Sequence, residues 1–286
     1  MPRTTEVYHQ CIPKIIWQTM KSSVVPRTVS DYCHSWIDKN PEYEYRFFDD
    51  RDISEFISKE FPSYLPALGK IKHGAVKADL WRYLITYKYG GVYADFDSRC
   101  VVPLRDWINP GSKWVTHLGI NRDVCQWLIM SIPGNRILEN AAEKSYHNII
   151  NGGPPCIEFR GFAIDDFRNL VLYRGSSFRT SHPVMTIAGP PVMQQASEEC
   201  FIDGSAQQIF KSTQVVCVSD QQQCEMNGNV SHDCPKDEYL KALTEMATPH
   251  YESARAELSR ARSFYAKIRG RLKIRTRLRA VVSRFF

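Results

Sequence analysis

The segment from Gly74 to Asp97 constrains this chain more than any other part of it. Val76, Leu80, Tyr83, Leu84 and Tyr87 recur at helical spacing and predict a helix over 74–89 with an apolar stripe, which Gly90-Gly91 ends. Val92-Tyr93-Ala94 then reads as a short strand that carries Asp95-Phe96-Asp97 at its carboxyl end. A helix turned by two glycines directly into a strand requires the two elements to lie close together. The acidic pair therefore sits where open α/β sheets bind ligands, beyond the carboxyl ends of their strands.

The preceding residues extend that pattern. Lys14–Thr19 is β-branched and aromatic and reads as a first buried strand; a helix follows Pro26 with Val29, Cys33, Trp36 and Ile37 on one face, and Pro41 stops it. Tyr43, Tyr45 and Phe47 alternate with charged residues as in a half-buried strand, and Asp52 is placed to cap a helix through Ile53, Phe56 and Ile57. Strand, helix, strand, helix, helix, strand indicates an α/β sheet with ligands at the strand ends. The stretch from 100 to 235 is richer in Gly and Pro, with an apolar run from Trp127 to Ile132.

Two aspartates one residue apart at a strand end can turn toward a single ion, and their hard oxygens suit Mg²⁺ or Mn²⁺ rather than a soft metal. Alone, such a pair is more often an acidic turn in solvent. Asp79 and Arg82, three apart on the preceding helix, strengthen the ligand reading. An arginine presents a planar fork of donors matched to phosphate, and an aspartate accepts hydrogen bonds from sugar hydroxyls.

The runs Lys77-Ala78-Asp79-Leu80-Trp81-Arg82-Tyr83-Leu84 and Tyr89-Gly90-Gly91-Val92-Tyr93-Ala94-Asp95-Phe96-Asp97 resemble the signature of the Och1-like, DXD-containing sugar transferases (glycosyltransferase family 32). Ile12-Pro13-Lys14-Ile15-Ile16-Trp17-Gln18-Thr19 is similar to that family's first strand, Asn135–Ile150 to its middle region, and Gly189-Pro190 to a later small-Gly-Pro element. The resemblance implies a GT-A-type catalytic domain over 1–235 with a mixed central sheet. It also implies a divalent cation, Mn²⁺ or Mg²⁺, and a nucleotide-sugar donor, GDP-mannose or a UDP-hexose. Transfer would go to a glycan or glycolipid hydroxyl with retention of configuration. By position, Trp17 would stack near the nucleobase, Asp79 hold sugar hydroxyls, and Arg82 contact sugar or phosphate. Gly91 and Tyr93 would line the donor site, Asp95 would lie between ribose, sugar and metal, and Asp97 would be the direct metal ligand. The family's late His precedes a Ser-Trp. Here Val230-Ser231-His232-Asp233 supplies His232 as a third ligand, without the Ser-Trp.

Other classes fit less well. A phosphohydrolase that uses a strand-end DxD for nucleophilic attack would carry Thr or Val two places after the second aspartate, where this chain has Arg99. A non-catalytic sugar- or membrane-binding relative would not need all four of Asp79, Arg82, Asp95 and Asp97. Nine cysteines, with no CxxC pair, argue against a disulfide framework, and the cluster Cys217–Cys234 lacks zinc-site spacing. Asp165-Asp166 reads as a helix cap or an acceptor-facing pair.

No run of about 18 apolar residues is present, and the first residues lack a leader's apolar segment, so the expectation is a cytoplasmic protein without a transmembrane helix. The net charge of +6 is unevenly spread: from Arg255 onward there are eleven Lys/Arg and one acid, Glu257. That places about +10 in the tail and about −4 in the body. Residues 236–286 form a second unit, a basic amphipathic helix that packs on the body or lies on an anionic membrane surface. No nucleic-acid partner is expected.

Overall fold

The computed structural model describes residues 10–119, 122–164, 170–173, 177–182, 184–215, 219–220 and 230–232. The tail 236–286, the cluster Cys217–Cys234 apart from those two short strands, and Asp165-Asp166 lie outside them.

The chain opens with β1 (Ile15–Thr19), α1 (Arg27–Lys39), β2 (Glu44–Phe48), α2 (Asp50–Glu60), a short turn α3 (Leu65–Leu68), α4 (Gly74–Tyr89) and β3 (Gly91–Ala94). Next come β4 (Arg99–Cys100), β5 (Trp114–Thr116), β6 (Leu128–Ser131) and α5 (Arg136–Asn151). Four three-residue strands follow: β7 (Ile157–Phe159), β8 (Phe162–Ile164), β9 (Leu170–Leu172) and β10 (Phe178–Thr180). The remainder is α6 (Met185–Ala188), α7 (Pro190–Ile202), α8 (Gln207–Phe210), β11 (Thr213–Val215), β12 (Ser219–Asp220) and β13 (Val230–His232).

Six strands make the central sheet in the order β11-β5-β6-β3-β1-β2. β1 pairs in parallel with both β2 and β3, whereas β6 is antiparallel to β3 and to β5. The sheet is therefore mixed, with β6 the reversed strand, as the resemblance implied. Alternation along the strands divides the core. Ile16, Val92, Ala94, Leu128 and Met130 pack with Trp36 of α1 on one face. Trp17, Tyr93, Ile129 and Trp114 pack with α4, α5 and α7 on the other.

The helix 74–89 forms with the predicted bounds, but it is not amphipathic. Asp79, Leu80, Trp81, Arg82, Tyr83, Leu84, Ile85 and Thr86 are all buried, because the sheet, α2, α5 and α6 surround it. A helix buried on every side carries its polar residues into the interior, and this one carries Asp79 and Arg82. Gly90 ends it at φ 65°, where a Cβ would meet Pro133 N and Ser131 O at 2.7 Å. At Gly91, φ 96°, a Cβ would likewise meet the Ile15 carbonyl oxygen at 2.7 Å, so β3 seats beside β1 only without a side chain there.

Two sequence expectations need correction. The α2 helix is capped by Asp49, whose carboxylate accepts from the Asp52 and Arg51 amides, while Asp52 at the third position closes a capping box. Ile37 lies on the solvent side of α1, 36% exposed, and Tyr32 takes its place on the buried face.

Candidate active site

The site forms where β3 ends. Asp95 follows the strand directly, and its amide donates to the Trp127 carbonyl at 2.8 Å. Its own carbonyl accepts three hydrogen bonds: from the Ser98 amide at 3.0 Å, the Ser98 hydroxyl at 2.5 Å and the Gln18 side-chain amide at 3.1 Å. Trp36 Nε1 holds the Ser98 carbonyl at 2.9 Å from the opposite layer. The turn Asp95-Phe96-Asp97 is thereby fixed at both ends. Phe96 packs toward Met20, Val29 and Cys33, and both carboxylates are half-buried.

Arg82 organises the carboxylates from α4. One Nη2 atom lies 3.0 Å from Asp79 Oδ1 and 3.2 Å from Asp95 Oδ1, and Nη1 donates to the Gln126 carbonyl at 3.1 Å. The guanidinium sits 4.6 Å over the Tyr93 ring, and the Tyr93 hydroxyl donates to Asp95. Arg82 Nε is buried and has no hydrogen-bond partner among the described residues. The Asp79–Arg82 pair is internal, with Asp79 6% and Arg82 5% exposed, and is not a surface ion pair.

Burial, the largest influence, and the Asp95 charge push the Asp79 carboxyl up to about 7, against the lowering effects of Arg82 and the Gln126 amide. Burial pulls the Arg82 guanidinium down, but Asp95, Tyr93 and Asp79 outweigh it and the net shift is upward. With Asp79 and Asp95 both on Arg82, and Asp97 two residues beyond Asp95 in the chain, carboxylates outnumber the guanidinium, an electrostatic setting suited to a cation.

The donor set passes a simple chemical test for Mg²⁺ or Mn²⁺: two half-buried hard carboxylates, fixed at a strand end beside a guanidinium. Among the described residues no group of three His, Cys, Asp or Glu side chains gathers as a metal site. The backbone of β13 lies antiparallel to β4, pairing Ser231 with Arg99 and Val230 with Cys100. That register carries His232 toward Ser98, next to Asp97 in the chain.

Other expected site residues stand elsewhere. Trp17 is 1% exposed: its Nε1 donates to the Gly90 carbonyl at 2.8 Å and its ring stacks on Tyr89. As it stands it is a core residue and offers no open face to a nucleobase. Gly91 lies at the amino end of β3, the end away from the carboxylates, against β1. Tyr93, also 1% exposed, supports Asp95 from inside. The residues that sequence reasoning missed are Gln18, Trp36, Ser98 and Gln126. Each acts through side chain-to-backbone or amide bonds across 43 or more positions, except Ser98 within its own turn.

The chain is similar to known proteins over part of its length. Residues 26–114 match the family described as "Glycosyltransferase sugar-binding region containing DXD motif". Inositol phosphoceramide mannosyltransferase 3 of Schizosaccharomyces pombe is 40% identical over 89 residues, 31% of this chain and 25% of that one. Initiation-specific alpha-1,6-mannosyltransferase of the same organism is 29% identical over 154 residues, 46% of this chain and 39% of that one. The solved structure titled "PaToxG Glycosyltransferase" aligns at a TM-score of 0.48 with 17% identity, over 71% of this chain and 73% of that one. The matched regions span about a quarter to two fifths of the two mannosyltransferases' length. The helix-to-strand junction and the Asp95–Asp97 turn fall within the matched region, so over residues 26–114 the chain is similar to the DXD-containing glycosyltransferases.

Proposed function

We propose that this chain transfers a hexose from a nucleotide diphosphate to a hydroxyl of a glycan or glycolipid, with mannose from GDP-mannose favoured over a UDP-hexose. The observation that carries the reading is the buried Asp79–Arg82–Asp95 network abutting the Asp97 turn. The names of the mannosyltransferase relatives support mannose, and the name of the inositol phosphoceramide enzyme supports a lipid-linked acceptor.

In this reading Asp95 and Asp97 hold the divalent cation, with His232 as a third ligand. The bound cation would neutralise charge on the departing diphosphate. Arg82 presents its guanidinium, including the otherwise unbonded Nε, to phosphate or sugar. Asp79 accepts from sugar hydroxyls and fixes the ring's orientation. Tyr93 and Ser98 keep Asp95 from swinging away. The bond between the anomeric carbon and the donor phosphate oxygen breaks while the acceptor oxygen bonds to the same face of that carbon. The acceptor's proton passes to the departing phosphate oxygen. No enzyme carboxylate is required as a covalent nucleophile, and the configuration is retained. The basic segment 236–286 would bring the enzyme to an anionic lipid surface carrying its acceptor.

Nucleotide release from a panel of GDP- and UDP-sugars, without acceptor and with Mn²⁺, Mg²⁺ or EDTA, tests the reading. Release from one donor that EDTA abolishes supports it. Silence across the panel, with no donor-induced thermal stabilisation, contradicts it and favours a binding protein that keeps the fold.

A further inference from the structure

Gln126 stands at the centre of the buried network although no motif marks it. It immediately precedes Trp127 and the reversed strand β6, which brings its side chain back against α4. Only 6% exposed, it uses its amide nitrogen to donate to Asp79 Oδ1 at 2.9 Å. Its side-chain oxygen accepts from the Tyr83 hydroxyl, and its main-chain carbonyl accepts from Arg82 Nη1 at 3.1 Å. One residue therefore bonds Asp79, Arg82 and Tyr83, three residues of α4. The Tyr83 hydroxyl also lies 2.8 Å from the Ala188 carbonyl, at the junction of α6 and α7. A hydroxyl has a single proton, so it serves either Gln126 or Ala188 at a given moment. The amide faces Asp79 with its NH₂ group when Asp79 is a carboxylate. It can present its oxygen instead only when Asp79 carries a proton, and the Tyr83 proton then turns to Ala188.

Such an arrangement does more than fill space. A leucine or methionine would pack at this position, whereas a buried amide is costly unless every polar atom is bonded. Here both ends are bonded, and one end is the aspartate that the proposed function assigns to the sugar. We propose that Gln126 is a positioning residue for sugar transfer, holding the Asp79 carboxylate in place as a hydrogen-bond acceptor through the chain Asp79–Gln126–Tyr83. The inference rests on the reading of the chain as a transferase and names a residue outside the signature. Asp79 is also faced by Arg82 from its own helix and by Asp95 and Tyr93 from β3 and the turn after it, so Gln126 is its neutral partner within a charged ring.

The test uses full-length wild type with Gln126→Met, Gln126→Glu, Asp79→Asn and the double variant Gln126→Met with Asp79→Asn, and donor hydrolysis as the assay. Thermal unfolding first establishes that each variant is folded. Gln126→Met is expected to lower kcat/KM about 100-fold, the scale of a misplaced reacting group. It should also move the acidic limb of the kcat/KM profile to higher pH, because the lost NH₂ donor favoured the carboxylate. Gln126→Glu, which keeps shape but sets a second carboxyl beside Asp79, should move that limb further the same way. In the Asp79→Asn background Gln126→Met should cost less than fivefold more, since its partner is already changed. A uniform loss with an unmoved pH limb, or full additivity with Asp79→Asn, overturns the proposal and leaves Gln126 a packing residue. An active wild type with an unimpaired, folded Gln126→Met also overturns it. A wild type silent with every donor overturns the transfer reading itself, and this proposal with it.

Discussion

At the scale of single residues, the site is an ion network in which no member is independent. Replacing Arg82 by Met leaves Asp79 buried without its cation, and breaking a buried pair in this way costs about 3–5 kcal/mol. Urea unfolding of Arg82→Met at pH 8 should show that loss. At pH 5 the loss should be smaller, because Asp79 can take up a proton. The same logic gives wild-type stability a pH dependence. Asp79 is raised to about 7 in the folded protein against an ordinary value of 3.8. The folded state therefore holds more protons than the unfolded state between those values. Its contribution to stability is complete at low pH and is lost as pH rises through about 7. Urea unfolding of the metal-free protein at pH 5, 6, 7 and 8 should show stability falling along the series, and Asp79→Asn should flatten that fall. A wild-type stability that rises over the same range would mean that Asp79 is ionised throughout.

At the scale of elements, β1 and the α4–β3 junction set the site's geometry from the end away from the carboxylates. Trp17 ties β1 to Gly90 by its indole N–H, and Gly91 lets the two strands close. Trp17→Phe keeps the ring and loses that bond, with an expected loss of about 1–3 kcal/mol for an unsatisfied buried carbonyl. The KM for the donor should stay within twofold of wild type; a tenfold rise would restore the nucleobase-stacking role that the family resemblance implied. These elements also show what a sequence reveals. The helix 74–89, the strand after it and the acidic turn were readable because their signals are local: helical spacing, a glycine pair, a DxD. The burial of Asp79 and Arg82 was not, since it depends on α2, α5 and α6 closing around a helix whose own pattern suggested a single apolar stripe. Gln126 and Gln18 were invisible for the same reason. Glutamine has no motif, and its partners lie on other elements.

At the scale of the whole molecule, charge divides the sequence into two regions. The body carries about −4 and the segment from Arg255 onward about +10, so the acidic pair and the basic tail are held apart in sequence. Among the described residues no helix is long and apolar enough to cross a membrane. If the tail lies on an anionic surface, deleting 236–286 should abolish sedimentation with vesicles containing phosphatidylserine while leaving donor hydrolysis unchanged. Added salt should weaken binding of the intact chain. Equal vesicle binding by the shortened and intact chains would assign the tail to packing instead.

The central claim is that Asp95 and Asp97 hold a divalent cation together with the donor's diphosphate. The most direct measurement is a Mn²⁺ titration of the protein, with and without GDP and then UDP, following free Mn²⁺ by electron paramagnetic resonance. Wild type should bind about one Mn²⁺ per chain, at least tenfold more tightly with one of the two nucleotides present, because cation and diphosphate stabilise each other. Asp97→Asn should lose that enhancement while remaining folded. Mn²⁺ binding that neither nucleotide strengthens, or that Asp97→Asn leaves intact, would contradict the account.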